Sequence, residues 1–229
     1  MDLVYICKSG PNEELKYSIR SAVKNLKFDN LWVVGGKPDW YTGNYISVPQ
    51  RSGKYENLKE NARAISLATD ISDSFIIMND DFYIINPVDI VENFNGGRLI
   101  DKANLYHTLD STSKYTKRLF DTNTKLLEMG INSPIDFELH IPMVITKAGL
   151  LSSVEYDLLW RSMYGNLYGI DSKLMEEDVK VYVNSRLVPK GYDTTNLKYP
   201  YLSSDDRSFG FLYKKFLKDM FKARSPYEQ

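Results

Sequence analysis

The feature that most constrains this chain is the alternation of two periodicities over its first ninety residues. Residues 2–6 (DLVYI), 31–34 (LWVV), 44–48 (NYISV) and 74–78 (SFIIM) are short apolar runs rich in β-formers, and they read as buried strands. Between them, Leu15, Ile19, Ala22, Val23 and Leu26, and again Leu58, Ala62, Ile65 and Leu67-Ala68, recur at helical spacing. Asn12 is placed to cap the first helix, with Glu13 and Glu14 in its first turn. Strand, helix, strand, strand, helix, strand predicts an α/β fold: a mostly parallel mixed sheet flanked by helices.

The second half is less regular. The spacing predicts a helix over 113–129 with Leu119, Leu126 and Leu127 inward and Gly130 as its stop. It also predicts a strand over 137–145 around Pro142, a helix over 146–159 and a strand over 178–183. A last helix over 209–221 would turn Phe209, Leu212, Phe216, Leu217, Met220 and Phe221 inward. The C-terminal part is therefore expected to be α-rich. Gly96-Gly97 fits either a hinge or a plain turn.

Composition narrows the class. At roughly 150 residues per domain, 229 residues imply one large domain, or one with a cap. The 29 basic and 30 acidic side chains nearly cancel, which argues against bulk adhesion to nucleic acid. One cysteine, Cys7, permits no internal disulfide and points to a reducing compartment. No apolar run reaches the roughly 18 residues of a membrane span, and residues 1–10 lack a leader pattern. A soluble, cytoplasmic domain is expected. Neither G-x-G-x-x-G nor G-x-x-x-x-G-K is present, so kinase-like and dinucleotide readings fall away.

The run 74–78 ends in Asn79-Asp80-Asp81. In parallel sheets, ligands sit beyond the carboxyl ends of the strands, and the acidic pair lies at such an end. Adjacent strand residues point to opposite faces, so Asp80 and Asp81 serve one side only if the strand stops there. Such a turn suits one hard divalent ion, Mn²⁺ or Mg²⁺, which also contacts substrate phosphate. It does not suit the facing carboxylates of a glycoside hydrolase, which come from separate elements. The plain alternative is a polar turn with solvated carboxylates.

Three segments carry a family resemblance. Asn12-Glu13-Glu14-Leu15-Lys16-Tyr17-Ser18-Ile19-Arg20-Ser21, Leu31-Trp32-Val33-Val34-Gly35-Gly36-Lys37-Pro38-Asp39-Trp40 and Phe75-Ile76-Ile77-Met78-Asn79-Asp80-Asp81-Phe82 resemble, in order, blocks of the Stealth family of hexose-1-phosphate transferases. His140-Ile141-Pro142-Met143 is similar to a later H-x-P-H block, and Arg161 stands for a later arginine. The family's W-V-D-G-x-D opening is replaced by Ile6-Cys7-Lys8-Ser9-Gly10, and its glutamate before N-D-D falls on Ala62. The whole chain looks more like short bacteriophage-encoded glycosyltransferases. That likeness implies a GT-A-like (Rossmann-like) fold, and both resemblances imply a nucleotide-diphosphate sugar donor. Residues 1–95 would form the donor half and residues 96–229 the acceptor half.

The expected site follows. Asp80 and Asp81 would bind the metal, with Asn79, Lys8, Ser9, Gly35, Gly36 and Arg20 around the donor. Arg161 would clamp the diphosphate, although a surface arginine is the plain alternative. His140 would be a base, a phosphate contact or a third ligand; His107 lacks such support. Arg20 has a salt bridge as its equal alternative. Asp205 and Asp206 would reach the metal or the acceptor, or simply be solvated. Residues 50–55 (QRSGKY) have the glycine and basic residues of a closing loop. Arg207, Lys214, Lys215, Lys218, Lys222 and Arg224 oppose only Asp219, so the last helix is a candidate grip for an anionic acceptor such as DNA or a wall polymer. Residues 114–118 (KYTKR) would extend that patch if adjacent. The expected reaction is hexosyl transfer, the first alternative sugar-1-phosphate transfer, and the second a sugar-nucleotide or glycan-binding module without turnover.

Overall fold

A computed structural model of the chain describes residues 1–181 and 198–229. In chain order its elements are β1 (Asp2–Cys7), α1 (Glu13–Asn25), β2 (Leu31–Gly35), β3 (Asn44–Ser47), α2 (Lys54–Leu67), β4 (Ser74–Asn79), β5 (Phe82–Ile84) and β6 (Phe94–Asn95). They continue with α3 (Leu99–Leu109), α4 (Lys114–Glu128), β7 (Met143–Thr146), α5 (Lys147–Val154), α6 (Trp160–Leu167), β8 (Lys173–Leu174) and β9 (Lys180–Val181). Last come β10 (Tyr201–Ser204), α7 (Asp206–Ser208), a π-helical turn at Phe209–Tyr213 and α8 (Lys214–Met220).

The fold is α/β, as the alternation predicted. A five-stranded sheet runs β3-β2-β1-β4-β7, with the first four strands parallel and β7 antiparallel to β4. Side chains alternate between its faces. Leu3, Tyr5 and Cys7 of β1 pack with Leu15, Ile19 and Ala22 of α1, while Val4 packs on the other face with Ala62 and Ile65 of α2. The chain moves from β1 outward to β2 and β3, then returns past β1 to β4. Strand order therefore reverses between β1 and β4, and a crevice opens where their carboxyl ends diverge.

After β4 the chain leaves the central sheet. β5 joins a small sheet, β5-β10-β9, that sits over α1. A polar stripe on α1 ties the layers together: Ser21 Oγ accepts the Ile84 N–H at 2.9 Å, and Asn25 Nδ2 donates to the Ile84 carbonyl at 2.6 Å. A third two-stranded sheet pairs β6 with β8.

Several expectations are corrected. Val23, Leu67 and Leu127 face solvent, because the helical stripe is narrower than the apolar pattern suggested. The strand expected over 137–145 is confined to β7: Pro142 has no N–H for the ladder, and residues 137–142 run outside the sheet. The helix expected over 146–159 stops at Val154, and a separate helix, α6, carries Arg161. In the C-terminal segment, the Lys214 N–H bonds the Phe209 carbonyl across the π turn. That extra residue turns Tyr213 inward and leaves Leu212 exposed. Of the strand expected over 178–183, only Lys180–Val181 is formed among the described residues, and 182–183 lie outside them. Gly96-Gly97 is a turn held against Asp136 by two bonds of 2.8 Å, from the Gly96 N–H to the Asp136 carbonyl and from the Asp136 N–H to the Gly97 carbonyl.

Candidate functional site

The acidic residues sit in a two-residue turn between β4 and β5, where the chain passes from the central sheet to the small one. β4 stops at Asn79, so Asp80 and Asp81 both escape the in–out alternation of the strand. Two clefts meet at this turn. The larger, about 710 Å³, lies over the carboxyl ends of β1 and β4 and is bordered by Lys8, Ser9, Asn79, His140 and Arg161. The smaller, about 410 Å³, lies toward β10 and α7 and is bordered by Glu14, Lys180, Ser204 and Arg207. Lys8, Asp80 and Asp81 line both.

Each carboxylate of the turn is held differently. Asp80 accepts Asn12 Nδ2 at 2.6 Å, and Asp81 accepts Lys180 Nζ at 2.7 Å. Burial pushes the Asp80 carboxyl up, the Asp81 charge adds to this, and Asn12 and Lys8 oppose it. Glu14 looks across the smaller cleft from the first turn of α1, where it accepts Ser204 Oγ at 3.1 Å. Burial, with Asp80, Asp81 and Asp206 adding, pushes its carboxyl up to about 7 despite that bond. Acid is concentrated here beyond what the neighbouring cations offset.

Arg161 lies on the larger cleft and is almost wholly buried. Nη1 donates to the Ile141 carbonyl at 3.0 Å, while Nη2 has no hydrogen-bond partner among the described residues. The guanidinium lies 5.3 Å from the Phe82 ring centre and 5.1 Å from that of Trp160. Burial pulls it down to about 10, and Glu138, Asp81 and Asp178 keep it charged at neutral pH. A buried cation with an unused donor beside a cleft is poised for an anionic ligand.

His140 lines the same cleft, its ring edge-on to Phe82 and its Nδ1 2.7 Å from Asp178. The loop 50–55 borders the cleft through Gln50, Arg51, Ser52, Lys54 and Tyr55, and Asn57 braces it by bonding both N–H and carbonyl of Arg51.

Other expected residues lie elsewhere. Arg20 lines neither cleft: its guanidinium grips Glu228 through Nε at 2.8 Å and Nη2 at 2.6 Å, and Nη1 donates to the Phe221 carbonyl. It is a clamp on the C-terminal segment. Gly35 and Gly36 stand one step behind the site. Gly35 has φ +113, and a Cβ on either would run into Cys7 or Ser9, so they let the end of β2 nest under the Lys8–Ser9 loop. His107 packs on Phe120 away from both clefts. Asp205 caps α7 by accepting the Ser208 N–H at 2.7 Å; with Asp206 it also borders the smaller cleft. In the basic C-terminal segment, Arg207 borders the smaller cleft, Lys214 pairs with Glu13 at 2.7 Å, and Lys215, Lys218, Lys222 and Arg224 are exposed. Arg118, from the 114–118 run, stacks on Tyr55 with its guanidinium 3.4 Å from the ring centre.

Glu14, Lys180 and Asp178 were not singled out from sequence. The first had a signal: Glu14, Ser18, Ser21 and Asn25 form a polar stripe at helical spacing beside the apolar face of α1. Lys180 and Asp178 had one too, since residues two apart on an extended segment share a face.

No protein-family model and no curated protein matches the chain. Solved structures resembling it include the galactosyltransferase LgtC in complex with donor and acceptor sugar analogs, 11% identical over 98% of this chain and 96% of that one, TM-score 0.48. Mouse xyloside xylosyltransferase 1 in its apo form is 8% identical over 100% and 96%, TM-score 0.35. The glycosyltransferase GlyE of Streptococcus pneumoniae is 7% identical over 76% of this chain and 44% of that one, TM-score 0.38. These likenesses are distant, and the functional reading rests on the site itself. Among the described residues, no helix is long and apolar enough to cross a membrane.

Proposed function

We propose that the chain is a glycosyltransferase that moves a hexose from a nucleotide-diphosphate sugar to an acceptor hydroxyl. One observation carries the reading: the Asp80–Asp81 turn is the shared wall of two clefts at the reversal point of a mostly parallel sheet. One cleft has the size and the cationic border for a charged small molecule, and the other gives a second substrate access to the same turn.

Asp80 and Asp81 would hold a divalent ion, Mn²⁺ or Mg²⁺. The donor set fits: two adjacent hard carboxylates, one of them raised by burial and like charge, suit an ion completed by phosphate and water oxygens. Among the described residues, no three His, Cys, Asp or Glu side chains form a ready-made cage, so phosphate would complete the shell. When bound, the ion would offset charge on the departing diphosphate. Arg161 offers its free Nη2 to the same phosphates, and Lys8 lies on the path between the clefts. Lys180 and Asn12 hold the two carboxylates in place. Positioned charge of this kind supplies most of the rate in group transfer to a good leaving group.

The donor would lie along the residue 1–95 wall of the larger cleft, and the acceptor, entering through the smaller, would reach past the Asp80–Asp81 turn to the opposite wall of the larger cleft, where His140 stands. The exposed Lys215, Lys218, Lys222 and Arg224, with Arg207 on the border of the smaller cleft, would draw an anionic acceptor such as DNA or a wall polymer.

The test is to incubate the protein with each common nucleotide sugar and Mn²⁺ and to identify the nucleotide released. A nucleoside diphosphate from one donor is expected. A nucleoside monophosphate would redirect the reading to sugar-1-phosphate transfer. A protein that neither binds nor turns over any donor would overturn it.

A further inference from the structure

We propose that Asp178 is a positioning residue that makes His140 the base for the acceptor hydroxyl, an inference that rests on the glycosyl-transfer reading above. Asp178 lies in the segment just before β9. Its Oδ2 is 2.7 Å from His140 Nδ1, and its Oδ1 accepts the His140 backbone N–H at 3.4 Å, so one carboxylate holds both ring and backbone of this residue. The edge-on contact with Phe82, at 84° and 6.1 Å between centres, fixes the ring plane.

The carboxylate behind the ring is itself held ionised. Burial pushes Asp178 up, but His140 and Lys102 outweigh it and keep the carboxyl well below the usual range. Lys102 reaches in from α3, anchored at 2.9 Å on Asp136 and at 2.7 Å on the Glu138 carbonyl. Glu138, Arg161 and Lys180 complete the charged surroundings. An ionised acceptor on Nδ1 keeps the proton of the neutral ring there, which leaves Nε2 with its lone pair for the cleft.

The step is balanced within the ternary complex. The acceptor oxygen bonds to the anomeric carbon as its proton passes to His140 Nε2. The bond from that carbon to the diphosphate oxygen breaks, and its electron pair leaves with the nucleoside diphosphate. Two residues beyond Asp178, Lys180 holds Asp81, so one short segment sets both the base and the acidic turn.

Long-range ¹H–¹⁵N spectra test the pair directly, because the chain has two histidines and H107Q assigns them. In wild type, neutral His140 is expected to carry its proton on Nδ1; in D178N, whose amide presents N–H to the ring, the proton moves to Nε2. With an accepted donor and acceptor, D178N and H140Q are expected to lose on the order of 100-fold in kcat, with donor KM and Mn²⁺ binding unchanged. D178E, which restores the carboxylate, recovers part of both signals and serves if D178N melts early. An Nε2–H tautomer in wild type, or wild-type kcat in folded D178N and H140Q, would overturn the proposal. The expected tautomers in a protein that turns over no donor would instead overturn the transfer reading, and the base role with it.

Discussion

Asn12 and Asp80, 68 residues apart, share a 2.6 Å hydrogen bond, and the same Asn12 side chain accepts the Leu15 N–H at 3.0 Å. One amide therefore caps α1 and holds the acidic turn, with the positive end of the helix beside a carboxylate. Asn12 takes this place with φ 39, in the left-handed region that asparagine tolerates. The start of the first helix and the end of the fourth strand are fixed to each other.

Replacing Asn12 by alanine removes both bonds. N12A is expected to lose about 1–2 kcal/mol, or roughly 2–8 °C in Tm. N12D keeps the cap acceptor but sets a second charge against Asp80, so its loss should be larger at pH 8 than at pH 4.5. Thermal melts at the two pH values check both; an N12D loss that does not depend on pH would contradict the pairing.

Glu14 carries a pH signature of the site. Its folded carboxyl is raised to about 7, above its ordinary range, so its contribution is fully present below about 4.5 and is lost as pH rises through 7. E14Q removes that loss. The Tm difference, variant minus wild type, should therefore be more positive at pH 8 than at pH 4.5, by a few degrees. Melting curves across that range would show a flat difference if Glu14 were an ordinary surface acid.

Arg20 and Glu228 are predicted to act on stability and not on donor binding. The Glu228 side chain is buried and bidentate with Arg20. Burial pushes its carboxyl up, but Arg20 and the Ser225 N–H and hydroxyl outweigh this and depress it, so the clamp is lost as pH falls below the ordinary glutamate range. E228A should cost about 3 kcal/mol while leaving donor affinity unchanged. Denaturant unfolding and calorimetry with the donor measure the two effects separately.

Gly36 tests the nesting of β2 under the Lys8–Ser9 loop. A Cβ at Gly36 would meet the backbone and hydroxyl of Ser9. G36A is expected to weaken donor binding by about tenfold as the loop shifts, with a smaller change in kcat. Unchanged donor affinity would mean that the loop does not contribute to the donor site.

The alternation of strand and helix patterns made the sheet legible, because β1, β2 and β4 are apolar runs and α1 and α2 each carry an apolar stripe at helical spacing. Asp80 and Asp81 were legible for the same reason: acids directly after a buried strand have nowhere to go but its end. Arg20 was not, because its partner Glu228 lies 208 residues away and a helix-face arginine gives no sign of what it will meet. Leu212 was misread because a π turn changes the period within one helix. Glu14 and Asp178 carried only a spacing signal, a stripe on a helix and a shared face on an extended segment, and their partners Ser204 and His140 came against them only on folding.

Calorimetry of donor binding with Mn²⁺ or EDTA, in wild type and D81A, tests the central claim most directly. The account predicts that wild type binds the accepted nucleotide sugar with Mn²⁺ and at least about tenfold more weakly with EDTA, and that D81A binds weakly in both. Equal binding with EDTA, or wild-type binding by D81A, would contradict the assignment of the Asp80–Asp81 turn as the metal and donor site.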